Sequence, residues 1–325
     1  MPTQDELRNV MNDVAATTEP LSAATVLHAG KRYRNRRRLL AAGGAAAAVL
    51  GVVAGIAVLS PGSPDGTTGA GDATAQLRQS VVALQDGNYT FTRTGAYFRQ
   101  DVARGTIALP DGYLLDHAQG STVMRAGDNV FLKYVGGGKE QLEQIKAVAL
   151  PQVPAKDRPK FAEAFTALLG PEWIRTDEKR LTDTAAVTEQ SSLDYITQFP
   201  SAAQPDVTGA DVLIKAVTTA ERDGNTITGT LNGTEVDENL GLLGPVDGPD
   251  GKTMSYRATL DDQGRLTELT VRPAAPASAP AGPSEPDPDL VITISDYGRT
   301  TAPTAPPTST TLNETGYDLL ARDVD

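Results

Sequence analysis

Met254-Ser255-Tyr256-Arg257-Ala258-Thr259-Leu260, followed by Asp261-Asp262-Gln263-Gly264 and then by Leu266-Thr267-Glu268-Leu269-Thr270-Val271, is the stretch that decides the fold. Residues 254, 256, 258 and 260 are apolar or aromatic and face one way, while Arg257 and Thr259 face the other. A period of two is the mark of an antiparallel strand with one covered face. The Asp-Asp-Gln-Gly between the two runs is a hairpin turn signal.

The same grammar extends in both directions. Asp86-Gly87, Asp111-Gly112, Gly127-Asp128-Asn129 and Asp223-Gly224-Asn225 are further turn signals. They separate short runs rich in β-formers at 88–93, 105–109, 113–117, 122–125, 130–135, 213–221, 226–231 and 290–295. Helical spacing appears instead at 73–84, where Leu77, Val81 and Leu84 share a face, and at 140–150 and 159–169. A short helix is expected at 192–199 with Ser192 as its N-cap. Hairpin runs with helices grouped between them predict an α+β fold, not an alternating α/β one. The Pro-rich stretch 273–289 reads as a solvated loop, across which 266–271 and 290–295 can pair. Gly136-Gly137-Gly138-Lys139 reads as a flexible loop, and 300–325 as a C-terminal tail with Pro/Thr-rich 300–311 and a turn of helix near 314–324.

Upstream of residue 73 the chain changes character. Residues 39–59, LLAAGGAAAAVLGVVAGIAVL, are 21 residues without a charge. At about 1.5 Å per residue such a helix spans roughly 30 Å, the thickness of a bilayer core. Lys31-Arg32-Tyr33-Arg34-Asn35-Arg36-Arg37-Arg38 precedes it, and Ser60-Pro61-Gly62-Ser63-Pro64-Asp65-Gly66 follows without a basic residue. The positive-inside rule then places the N-terminus in the cytoplasm and everything after residue 60 outside, on a flexible stalk at 60–72. The expected localisation is therefore the cell membrane, with a single pass. The competing reading is a cleaved signal with a cut near Ala57; signal cores are usually shorter than this run. Residues 1–38 form a basic cytoplasmic segment in which Leu7, Val10, Met11 and Val14 have helical spacing. That segment reads as an amphipathic lead near anionic lipid, or as a dock for a cytoplasmic protein partner.

The charge balance sharpens this division. Net charge is −12, while residues 1–38 hold seven Lys/Arg against four Asp/Glu, so the remainder carries −15. An acidic outer part does not suit nucleic acid, which is bound by basic surfaces. There is no cysteine, which excludes disulfides, thiolate zinc sites and a lipidated Cys anchor. His28 and His117 are the only histidines, and they fall on opposite sides of the membrane segment. No phosphate-binding Gly motif or Gly-x-Ser-x-Gly elbow is present, and no cofactor is called for. The sequence predicts a protein that is not an enzyme.

Several phrases resemble the LolA-like lipoprotein fold of mycobacterial and actinobacterial lipid-carrying lipoproteins. They are the helix at 73–84 running into Asn88-Tyr89-Thr90-Phe91-Thr92, then Gly105-Thr106-Ile107-Ala108-Leu109 and Met124–Lys133. Pro171-Glu172-Trp173-Ile174-Arg175-Thr176 and the closing runs 256–260, 266–271 and Ile292-Thr293-Ile294-Ser295-Asp296-Tyr297-Gly298 complete the likeness. It covers residues 73–299. The resemblance implies a curved antiparallel β-sheet, a half-barrel, with helices on its concave side and a hydrophobic cavity able to hold acyl chains. Tyr89, Phe91, Phe131, Tyr256, Leu260, Ile292 and Ile294 are then the candidate lining, and the same residue types equally make an ordinary core. The missing Cys sets this chain apart from that family. A helix tether does not release, so the expectation is a stationary binding domain for lipid or another apolar envelope ligand. The alternative is a sensor whose cytoplasmic segment engages a partner such as a sigma factor.

Overall fold

The computed structural model describes residues 70–95, 102–118, 120–187, 199–240, 253–272 and 289–321. All of them belong to the compact unit Asp65–Asp325. The cytoplasmic segment 1–38, the apolar run 39–59, most of the expected helix at 192–199 and the Pro-rich 273–288 lie outside the described residues. Among the described residues no helix is long and apolar enough to cross a membrane.

The opening stretch forms the expected hairpin, β9 (Thr253–Leu260) with β10 (Leu266–Arg272). Gly264 at φ +75° supplies the left-handed residue that its turn needs. The remaining strands are β1 (Asn88–Thr94), β2 (Val102–Ala108), β3 (Gly112–His117), β4 (Ser121–Ala126), β5 (Asn129–Tyr134), β6 (Trp173–Thr176), β7 (Val217–Asp223), β8 (Thr226–Asn232), β11 (Leu290–Ser295) and β12 (Ser309–Thr311). They build one sheet in the order β12-β6-β5-β4-β3-β2-β1-β11-β10-β9-β8-β7. Every ladder is antiparallel except β12 with β6. As expected, β10 pairs with β11 across the Pro-rich stretch.

Register assigns the faces. Ile174, Leu132, Val123, Leu115, Gly105, Phe91 and Ile294 lie opposite one another across seven consecutive strands. Ile292, Leu269, Ala258 and Ile227 continue the same face through β8. Every one of these apart from Gly105 belongs to the buried hydrophobic core. This inner face is what the helices cover. At one side α1 (Ala70–Ser80) packs on β7, with α5 (Ala210–Lys215) and α6 (Gly233–Leu240) beside it. At the other, α3 (Arg158–Leu169) approaches β5 and carries α2 (Gly137–Gln152) and α7 (Glu314–Ala321), while α4 (Glu178–Val187) packs on α7. α3 buries Phe161, Ala164, Phe165 and Leu168, the i, i+3, i+4, i+7 stripe of a helix lying on a core. Leu77, Val81 and Leu84 are all buried, but the helix expected over 73–84 ends at Ser80, and a 3-10 turn at Val82–Asp86 carries Leu84.

Five expectations are corrected. The sheet is large, open and uncurled where the resemblance implied a curved half-barrel, and no ladder joins β7 to β12. Its edges end in other ways: β7 carries a bulge between Val217 and Thr219 and the charged run Glu221, Arg222, Asp223, and β12 is only three residues long. Of the expected Gly136–Lys139 loop, Gly137–Lys139 are instead the start of α2, and the backbone of buried Gly138 lies where a Cβ on Gly120 would stand. Residues 213–215 belong to α5, and the strand begins only at Val217. The segment read as a tail is built into the fold: β12 extends the sheet, and α7 buries Tyr317, Leu319 and Leu320. Finally, α4 and α6 were not expected at all. Asp177 caps α4 by accepting the Arg180 N–H at 2.7 Å.

Candidate functional site

Six of the seven sequence candidates meet on the inner face. Tyr89, Phe91, Tyr256, Leu260, Ile292 and Ile294 are all at most 4% exposed there. Phe131 does not join them. It sits opposite Met124, one register step from the inner row, and so points to the other face of the sheet. Both are nonetheless buried. The segment that crosses this outer face is 301–308, which runs from Thr300, bonded to Asn88 and to the Ile107 carbonyl, past Pro303 against Gly112, to Ser309 beside Trp173.

The inner face is apolar but not without polar atoms, because several tyrosines carry hydroxyls near it. Tyr89 donates to the Pro205 carbonyl at 2.8 Å, Tyr256 to the Thr219 carbonyl at 3.0 Å, and Tyr297 to the Leu266 carbonyl at 2.6 Å. The Tyr317 hydroxyl accepts the Asp177 N–H at 2.8 Å. Burial pushes the phenols of Tyr89, Tyr256 and Tyr297 up, that of Tyr256 to about 12, so all remain neutral donors. Asp206, next to Pro205, organises the start of α5: its carboxylate accepts the Thr208 N–H at 2.7 Å, the Thr208 hydroxyl at 2.6 Å and the Asp211 N–H at 2.9 Å. Burial raises its pKa, while those hydrogen bonds pull it down.

Tyr113 is the residue that sequence reasoning passed over. It sits on the inner face of β3, in the register row Tyr89, Ile107, Tyr113, Arg125, Val130, Thr176. It is 0% exposed, and its hydroxyl has no hydrogen-bond partner. The Phe199 ring stacks on it, with centroids 6.0 Å apart and planes 23° from parallel. Burial first, and then the charge of Glu178, drive its pKa far up, against the opposing pull of Arg125.

A cleft lies between α2 and the start of α3. Its volume is about 450 Å³, and it is lined by Glu143, Lys146, Ala147, Leu150, Pro151 and Arg158. Arg158 spans its end, donating to the carbonyls of Val153 and Pro151, both at 2.9 Å. Lys146 pairs with Glu143 at 3.3 Å. The cleft therefore has an apolar floor and a rim of two cations and one carboxylate. Sequence periodicity could not find the open side of α2, because that helix buries only Gly138 and Leu142 and leaves Val148 63% exposed. Among the described residues no group of His, Cys, Asp and Glu is placed to hold a metal ion.

No protein-family model matches the chain. No curated protein matches it in sequence. Among solved structures it is similar to the Mycobacterium tuberculosis lipoprotein LppX, at 12% identity, covering 71% of this chain and 97% of that one with a TM-score of 0.31. Backbones that overlay this loosely do not transfer a site from one protein to the other, so the reading below rests on this chain's own geometry.

Proposed function

We propose that the chain is a non-enzymatic, membrane-tethered binding module whose outer domain holds an apolar or amphiphilic envelope molecule, lipid being the foremost class. The observation that carries it is the α2–α3 cleft: about 450 Å³, floored by Ala147, Leu150 and Pro151 and rimmed by charge. Small-molecule sites typically occupy about 300–1,000 Å³, with apolar linings and a few orienting polar groups. The cleft opens above a helix layer that rests on an apolar face shared by consecutive strands of the sheet. The tether rests on the run 39–59 and the basic residues before it.

Native mass spectrometry of the unit Asp65–Asp325, purified from its source organism, tests the binding. The expected result is a population heavier than the polypeptide that disappears on organic extraction. A single mass, unchanged by extraction, would overturn the reading. Ala147→Trp, which fills the cleft from an exposed position, should lower the heavy fraction without moving the urea midpoint. N-terminal sequencing of the membrane fraction tests the tether, and a new terminus near Ala57 would remove it.

A further inference from the structure

Residues 146–160, KAVALPQVPAKDRPK, run through the last turns of α2, the connecting turn and the start of α3. No charge lies between Lys146 and Lys156. From Lys156 to Lys160 there are three cations against one carboxylate, Asp157. The chain after residue 38 carries −15 in all, so this end of the helix pair is a basic island in an acidic part. It is also open to solvent. Val148 is 63% exposed, and no large hydrophobic side chain among the described residues is more so. Ala147, Pro151, Pro154 and Ala155 are exposed with it. Lys156, Arg158 and Lys160 are exposed as well, and none of the three has an ion-pair partner among the described residues.

The exposure follows from how the hairpin is held. α2 rests on α3 and buries only Gly138 and Leu142, both in its first half, so its last turns have no cover. Between the helices Val153 is turned inward, 4% exposed, and Arg158 donates to the carbonyls of Val153 and Pro151. The turn is thus pinned from within, which leaves its prolines and alanines on the outside. A tip of small apolar side chains beside unpaired cations suits an anionic bilayer surface. The apolar groups enter the boundary between headgroups and acyl chains, and lysine stems reach back to the phosphates. A protein partner is the poorer match, because protein interfaces are anchored by aromatic or arginine side chains in pockets. Residues 146–160 contain no aromatic, and their one arginine is engaged with the turn carbonyls.

We propose that the tip of the α2–α3 hairpin docks on the anionic headgroup surface of a lipid bilayer, with Val148, Pro151, Pro154 and Ala155 at the interface and Lys156, Arg158 and Lys160 among the phosphates. This goes beyond the binding reading above. It takes from that reading only the tether that keeps a bilayer at hand, and it holds whether the cleft is filled or empty. Pro151 and Arg158 belong to both the cleft and the tip, so docking sets one end of the cleft at the leaflet.

The chain has no cysteine, so Ala155→Cys or Gln263→Cys gives a single site for an environment-sensitive fluorophore. Gln263, exposed in the β9–β10 turn and far from β5 in strand order, is the reference position. The full chain is reconstituted into vesicles of phosphatidylcholine, with or without about 30% phosphatidylglycerol, that also carry a quencher-labelled lipid. Both leaflets have the same composition, so the orientation of insertion does not alter the reading. With phosphatidylglycerol the lipid should quench the probe at 155 several-fold more than the probe at 263. In phosphatidylcholine alone, or in about 1 M salt, the two should converge. Lys156→Gln with Lys160→Gln should lower the docked-to-free ratio about 25-fold, fivefold for each cation at an anionic leaflet. The melting temperature should not move, because neither lysine has a partner to lose. Equal quenching at 155 and 263 with phosphatidylglycerol would overturn the proposal. Quenching at 155 that ignores lipid charge and both lysines would overturn it too. A blue shift at 155 that grows with protein density, without lipid quenching, would assign the tip to a second copy of the chain and overturn the bilayer as its occupant. Flotation with the vesicles after an alkaline wash reports the tether separately, so a lost tether and a lost dock are told apart.

Discussion

Phe91 over Gly105 and Tyr256 over Gly229 are one construction made at two places in the same sheet. In each, an aromatic side chain lies across the glycine that faces it on the neighbouring strand, on the inner face. What surrounds the glycine differs. A Cβ at Gly105 would meet the Phe91 ring at 2.5 Å and the Leu115 side chain at 2.8 Å. A Cβ at Gly229 would meet the Thr219 carbonyl oxygen at 2.0 Å before it met Tyr256 at 3.1 Å. The first site is a packing contact between side chains in the middle of the sheet. The second is a backbone approach beside its edge. There the β7 bulge hands part of its ladder to hydroxyls, with the Thr230 N–H donating to Thr219 Oγ1 at 3.0 Å, and Tyr256 takes the Thr219 carbonyl. The comparison teaches that an aromatic on a glycine fills space in a sheet centre, and at a sheet edge also stands in for the strand that is not there.

If this is right, the two glycines break differently. Gly229→Ala should be the most damaging, by about 3 kcal/mol or more, since a backbone oxygen cannot rotate away from the new methyl. Urea unfolding should show the lower midpoint, and Tyr256→Leu should not rescue it. Gly105→Ala should cost less, about 1–3 kcal/mol, because the obstacle is the end of a side chain. Here Phe91→Leu in the same chain should recover part of the loss, giving a coupling energy of about 1 kcal/mol in a double-mutant cycle. Equal losses at the two sites, or rescue at both, would collapse the distinction.

Much of this frame was legible in the sequence. Period-two runs with Asp-Gly and Asp-Asp-Gln-Gly turns announced nearly every antiparallel strand, because both the alternation and the turn chemistry are local. What stayed hidden depends on partners far along the chain. β12 is three exposed residues, Ser309–Thr311, that become a strand only by lying parallel to Trp173–Arg175. Two threonines in a run of three are too short a signal to mark a strand. Phe131 looked like any inward aromatic, but Val130, Phe131 and Leu132 are buried in succession, so β5 is covered on both faces there and alternation carries no information. Residues 213–215 have strand-like composition, yet Asp206 and Thr208 supply caps for α5 that only the folded loop brings into place. The site was the least readable part. That Tyr113 lies inward follows from its strand, but that its hydroxyl has no partner is a fact about everything around it.

Tyr256→Phe is a milder probe of the edge construction. It keeps the ring on Gly229 and removes only the bond to the Thr219 carbonyl, so the loss should be about 1 kcal/mol. Hydrogen exchange should localise it, with faster exchange confined to β7 and β8. A uniform increase across the sheet would mean that the bond serves the whole core instead of the edge.

The smallest effect belongs to the turn that carries Tyr256. Asp261 accepts the N–H groups of Gln263 and Arg265, each at 2.9 Å, and the Arg265 guanidinium at 2.8 Å. Partial burial works to raise its pKa, but the Arg265 side chain and the two backbone donors outweigh it and hold the carboxyl below its ordinary value. Arg265 in turn lies over the Tyr297 ring, 4.9 Å from its centre, so the charge pair also ties the turn to the inner face. A depressed carboxyl favours the folded state at any pH above the unfolded value of about 3.9, and that contribution is lost as pH falls through the folded value. Asp261→Asn should therefore lower stability by about 0.5 kcal/mol at pH 7, a size set by the partial exposure of the pair. The gap between variant and wild type, followed by urea unfolding from pH 7 down to about pH 3, should narrow as the native carboxyl takes up its proton. A gap that stays constant would place the effect in the neutral turn hydrogen bonds instead of the charge pair.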